Sequence, residues 1–214
     1  MTINTEPIYV AVLLESGESG GNRRTWLHLP ATKKQFAGAL DRIQAKDGDY
    51  FIADYTYRIP GMCRHEMKSA PLAVVNHLAA RLSILNSEEI TKLCAIWDTD
   101  HYFDTVRRLI DYTYATDSYT LLPGVSDEES LGAYYIDNPR KFAADATLKN
   151  SISRREFGKD LAEIENGVFS PFGYITSKIG WDLPEEDRRV PEHLNLRGWL
   201  NEDLYGNWEA DYIV

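Results

Sequence analysis

Between Pro7 and Tyr55 the hydrophobic pattern runs from strand-like to helical and back, and only one helix is available to cover the strands. Pro7 to Leu14 is rich in β-branched and apolar residues, and Ser16 to Asn22 holds three glycines in seven positions. Arg24 to Leu29 then alternates Trp26 and His28 against Leu27 and Leu29, which predicts a hairpin with a long loop. Thr32 and Gln35 stand at capping-box spacing, Phe36, Ala39, Leu40 and Ile43 recur with the helical period, and Gly48 stops the run. Asp49 to Tyr55 resumes a strand. Strands in excess of helices predict a small antiparallel sheet with one covered face.

The middle of the chain reads as helix. Pro71 suits a first helical position, and Leu72, Val75, Leu78, Ala79 and Leu82 form an apolar stripe ending near Leu85. Ser87 caps a second helix whose first turn carries Glu88 and Glu89, with Ile90, Leu93, Cys94 and Trp97 facing inward. A third, from about Asp100 to Tyr114, gathers Tyr102, Phe103, Val106, Leu109 and Ile110 on one face and sets Asp100, Asp104 and Asp111 almost opposite. That geometry predicts an exposed acidic stripe. Ser118 to Leu122 reads as a short strand, and Ser126 with Glu129 as a second capping box opening a helix through Leu131, Tyr134 and Tyr135. Beyond Pro139 the pattern loosens into a weakly basic stretch containing Arg154 and Arg155.

Together these patterns predict an α+β chain of two or three small domains that share interfaces. Residues 1–68 form a β-sheet with one helix, 69–117 a helical acidic domain, and 118–214 a mixed α+β domain with a basic insertion near 138–181. With 43% apolar and 12% aromatic residues the chain has the means to build cores. No charged and apolar leader opens it, and runs such as Ile8 to Leu14 are too short to cross a bilayer, so a soluble, cytoplasmic protein is expected.

Charge is divided unevenly along this scaffold. From Leu85 to Asp137 there are eleven acids and three bases, a net of −8 in a chain of net −10, and residues 182–214 carry a further −6. Residues 1–84 and 138–181 are each +2. Solvated helix faces usually mix signs, because like charges repel along a helix. A surface of one sign instead disfavours nucleic acid as a partner and suits a protein whose own site is basic.

Catalytic patterns are missing from the sequence. His65-Glu66 lacks the second histidine a zinc protease needs, and Gly20-Gly21 precedes a strand where a phosphate loop needs a helix. The remaining histidines are scattered and supply no base to a nearby nucleophile. Asp98 and Asp100 lack calcium-loop spacing, and Cys63 and Cys94 stand outside any paired motif. No enzyme activity, cofactor, metal or disulfide is expected. A hydrolase using unrecognised carboxylates and direct DNA binding through Arg154-Arg155 are the competing readings.

Several segments resemble the ordered landmarks of the ArdA-type antirestriction family. They are Ile8-Tyr9-Val10-Ala11 with Trp26-Leu27, Tyr50-Phe51-Ile52-Ala53-Asp54-Tyr55, and the run from Pro123 through Ser126-Asp127-Glu128-Glu129-Ser130-Leu131-Gly132-Ala133-Tyr134-Tyr135-Ile136-Asp137. Phe157-Gly158-Lys159-Asp160 with Gly173-Tyr174-Ile175, and Val190-Pro191-Glu192-His193-Leu194 with Leu204-Tyr205-Gly206, resemble its C-terminal part. The resemblance implies three small consecutive domains in an elongated, acidic homodimer that mimics DNA and occupies the DNA-binding groove of type I restriction-modification enzymes, protecting incoming mobile DNA. It further implies that Leu131, Tyr134, Tyr135 and Ile136 lie near the dimer contact. On that reading Glu88, Glu89, Asp98, Asp100, Asp104, Asp111, Asp117, Asp127, Glu128, Glu129 and Asp137 stand where phosphates would stand. The alternative keeps the fold and changes the target: an acidic adaptor of a mobile element that binds another basic, DNA-associated protein.

Overall fold

The computed structural model describes residues 10–17, 21–45, 49–59, 67–99, 105–181 and 190–196, which fall into two compact units. The first comprises the described residues up to Ser87, those from 105 to 113, and 190–196. The second comprises 88–99 and 114–181.

In the first unit, β1 (Val10–Ser16) is the central strand of an antiparallel sheet, flanked by β2 (Arg24–Leu29) and β3 (Tyr50–Tyr57). The pairing sets Val12 opposite Leu27 and Tyr55, and the register shifts between Leu13 and Leu14 on the β3 side. Helix α1 (Lys33–Ile43) packs on β1 and β2, and its Phe36, Ala39, Leu40 and Ile43 are buried with Val12, Leu14, Leu27 and Leu29. The Thr32–Gln35 capping box forms as its spacing predicts: each side chain satisfies the other residue's backbone or hydroxyl donor, and the chain leaves the helix at left-handed Gln44. Phe36 meets Tyr50 edge to face at 5.4 Å between ring centroids.

Helix α2 (Leu72–Ile84) buries every residue from Leu72 to Ala79, including Asn76 and His77, so it is covered on more sides than its stripe alone requires. Asn76 is fully satisfied in this setting. Its amide accepts from the Ala31 N–H at 2.7 Å and donates to the carbonyls of Ala31 and Leu194, each at 3.0 Å. One buried side chain therefore joins the turn after β2 to a short 3-10 turn, Glu192–Leu194, far along the chain. Helix α4 (Val106–Tyr114) is closed by Arg81, whose guanidinium donates to the Thr113 hydroxyl and carbonyl at 3.1 and 2.9 Å.

The second unit contains α3 (Ser87–Thr99) from Glu88 onward, with Ile90, Leu93, Cys94 and Trp97 buried as the period predicts. After the 3-10 turn Thr116–Ser118 comes a second antiparallel sheet, β4 (Tyr119–Leu122), β6 (Gly173–Ser177) and β5 (Val168–Ser170) in that spatial order. Helix α5 (Glu128–Ile136) packs tightly on α7 (Arg154–Glu165), and a short α6 (Ala146–Ser151) lies between them in sequence. Their core is Val125, Leu131 and Tyr174, flanked by Leu122, Tyr135, Leu161, Ala162 and Phe169.

Two glycines set the distance between α5 and α7. A Cβ on Gly132 would overlap the carbonyl oxygen of Arg154, and one on Gly158 would overlap that of Glu128. The helices therefore touch backbone to backbone. Both glycines belong to the segments that carry the family resemblance, and the fold shows that these segments are one packing unit.

Candidate functional site

Eight of the eleven acids singled out in the sequence are described in the second unit: Glu88, Glu89, Asp98, Asp117, Asp127, Glu128, Glu129 and Asp137. Asp100 and Asp104 lie outside the described residues, as do Cys63, His65 and Glu66. Asp111 corrects the expectation of an exposed stripe. It is only 9% exposed, because α4 also buries Tyr112 and Thr113 on the side that a single amphipathic face would leave to solvent. Substituting it would test the fold before it tested any partner.

The remaining acids differ in what they already do. Glu88 reaches Lys92 one turn along α3 at 3.3 Å, while Asp98 sits half-buried near the helix C-terminus, where the macrodipole disfavours a carboxylate. Asp137, just past α5, accepts from Arg154 of α7 at 3.0 Å. Arg154 and Arg155 occupy the first turn of α7, a position unfavourable for cations, and acids of α5 offset that cost. Part of the basic stretch thus pairs with the unit's own surface acids, and Arg154 is engaged by a carboxylate.

At the start of α5 the capping box is shifted one residue from the Ser126–Glu129 pair that the sequence predicts. Asp127 is the N-cap: its carboxylate accepts from the Ser130 N–H at 2.8 Å, and the Ser130 hydroxyl accepts from the N–H groups of Ser126 and Asp127 at 3.0 and 3.1 Å. Both serine and aspartate make good caps, so only the backbone decides between the two frames. These hydrogen bonds, the backbone one from Ser130 first, hold the Asp127 carboxyl below the usual carboxylate range, helped by Arg155. Asp127 stays ionised and exposed. Glu129 and Asp117 are exposed and Glu128 is half-buried, and among the described residues these three are paired with no cation. The fixed helix start thus carries three consecutive carboxylates, two of them exposed.

The proposed dimer residues separate. Leu131 and Ile136 are both 0% exposed within a single chain, so neither has surface left to give to a partner. Tyr135 is half-buried and committed: its hydroxyl donates to Glu165 at 2.5 Å, and the Tyr174 hydroxyl donates to the other oxygen of the same carboxylate at 3.0 Å. Burial first, and then the bonds to Glu165, push both phenols far above their usual range. Tyr134 alone remains open, at 36%, with the Lys141 ammonium 5.1 Å from its ring centre. The glutamate clamp was not visible in the sequence, since a residue 30 positions from Tyr135 leaves no local spacing to read.

Among the described residues no cluster of three or more histidine, cysteine or acidic side chains could hold a metal ion, and no helix is long and apolar enough to cross a membrane. Acids fixed on helix ends of an α+β scaffold define a class of charged scaffold protein. Residues 8–176 match the family described as Antirestriction protein (ArdA), and the chain belongs to that family. The comparison with curated proteins finds no match. Membership makes this an antirestriction protein of a family not known for enzymes, directed at restriction-modification systems.

Proposed function

We propose that the protein blocks type I restriction-modification enzymes by mimicking DNA, its acids occupying the basic groove that otherwise holds phosphates, without any catalysis of its own. The observation that carries this reading is the start of α5. There a capping box between Asp127 and Ser130 fixes the helix start from which Asp127, Glu128 and Glu129 project, with Asp117 exposed on the turn before β4. Carboxylates carried on a preformed helix start lose less freedom on binding than those on an unfolded segment, and a protein need not bear the bending cost of a DNA duplex. Glu88, Glu89 and Asp98 extend the charged set, and Asp137 contributes less because Arg154 neutralises it.

The proposal includes a cytoplasmic homodimer of chains each built as three small domains, with Tyr134 as the contact left open by the packing of its neighbours. A titration of the purified protein into a type I enzyme with labelled target DNA tests the mechanism. Competitive loss of both DNA binding and cleavage is expected. Undiminished DNA binding at saturating protein would overturn mimicry, and capture of a different basic protein from host lysate would then favour the adaptor reading.

A further inference from the structure

Asn166-Gly167 is the only Asn-Gly pair in the chain, and it forms the C-terminal cap of α7. Asn166 is exposed and left-handed, with φ 47 and ψ 41, and is followed by a residue with no side chain to hinder attack at its own nitrogen. Such a pair is chemically prone to deamidation. The Gly167 nitrogen, having given its proton to solvent base, bonds to the Asn166 side-chain carbon. The bond from that carbon to Nδ2 breaks, ammonia leaves, and a succinimide remains. Water then opens one of its two carbonyls to give aspartate or isoaspartate, with no oxidant or reductant involved.

The fold opposes the first step. The Gly167 N–H donates to the Ala162 carbonyl at 3.0 Å, so the nucleophilic nitrogen is held in the cap. The Asn166 N–H is likewise turned back on α7, toward the carbonyls of Ala162 and Glu163. On the other side the Asn166 carbonyl accepts from the Trp181 indole N–H at 3.2 Å, and that indole packs against Tyr119 of β4 at 5.7 Å between ring centroids. Three elements of one unit thus fix the backbone on both sides of the susceptible carbon.

We propose that Asn166-Gly167 is a latent deamidation site gated by the α7 cap, closed while the second unit is folded and reactive once the cap opens. Reaction there is irreversible for the fold. Isoaspartate inserts an extra backbone carbon where the left-handed cap must form, and it places a new carboxylate beside Glu165, which holds Tyr135 and Tyr174. A molecule that has reacted while open therefore carries a lasting chemical mark and a weakened clamp.

The test incubates the full chain in mildly alkaline buffer, folded or unfolded in urea, and quantifies isoaspartate at residue 166 by peptide mapping. Trp181→Phe, which keeps an aromatic ring against Tyr119 and removes the indole donor, is run folded beside it. Asn166→Gly, which suits the left-handed cap, serves as the blank. We expect the folded parent to react more slowly than the unfolded chain by roughly tenfold or more, the factor set by an opening cost of about 1.4 kcal/mol, with W181F between the two. Equal rates in folded and unfolded chains, no isoaspartate in either, or a W181F rate no faster than the parent would each overturn the gating.

Discussion

Two adjacent side chains on α2 show how differently a buried polar group can be accommodated. Asn76 has backbone partners for its oxygen and its amide hydrogens, so its burial is offset. Asn76→Leu would leave the Ala31 N–H and two carbonyls without their partner, and unfolding by urea should show a loss of roughly 2–4 kcal/mol. His77 is held neutral by burial, with Arg81 and His193 adding to the effect, and its pKa falls from 6.5 to about 4. The unfolded chain therefore takes up a proton below pH 6.5 while the folded chain does not until about pH 4. Stability is fully present above that window and falls as the pH drops through it, by about 3 kcal/mol for the whole shift. His77→Gln should flatten this part of the stability profile, and an unchanged slope in urea midpoints would remove His77 as its source. Burial also pushes the Cys94 thiol up to about 12, so it should resist iodoacetamide at neutral pH until the chain unfolds.

Elements were legible in the sequence wherever side chains alone made the contact. The first sheet and α1 follow from alternation, a capping box and helical spacing, because an apolar face meets an apolar face there. The pairing of α5 with α7 left no comparable trace. Its contact runs through Gly132 and Gly158, so the buried face of α7 shows glycine where a helical pattern would show an apolar residue, while Ile164 is 79% exposed. A glycine inside a helical run was the available signal. The same geometry decides the sign of a mutation. On an open helix surface Gly→Ala stabilises by up to about 1 kcal/mol through propensity. At Gly132 or Gly158 the methyl meets a carbonyl of the opposite helix, and overpacking of that kind costs about 1–3 kcal/mol or more. G132A and G158A should each therefore lower Tm, by roughly 2–4 °C per kcal/mol in a chain of this length. A rise in Tm would mean that the helices are not in backbone contact.

At the scale of the whole molecule the charge set must be separated from the parts that hold it. Asp111 is buried and Asp137 is paired, so their substitution confounds charge with stability or changes little that a partner meets. Asp117, Asp127, Glu128 and Glu129 allow a cleaner experiment, because Asn caps a helix as well as Asp does and the other three support no described ion pair. Replacing these four with amides takes the formal net charge from −10 to −6 while leaving the α5–α7 contact in place. If the acids act as phosphate substitutes, inhibition of DNA binding by a type I enzyme should weaken by on the order of tenfold or more, mostly through slower association. The logarithmic dependence of affinity on salt should also become shallower, since fewer basic groups on the enzyme find a charge to pair with. Asp137→Asn provides the comparison, because its charge is already opposed by Arg154 and it should shift neither quantity to the same extent. If the fourfold amide variant folded with the parent's Tm and inhibited with the same affinity and salt slope, shape rather than charge would have to explain the inhibition.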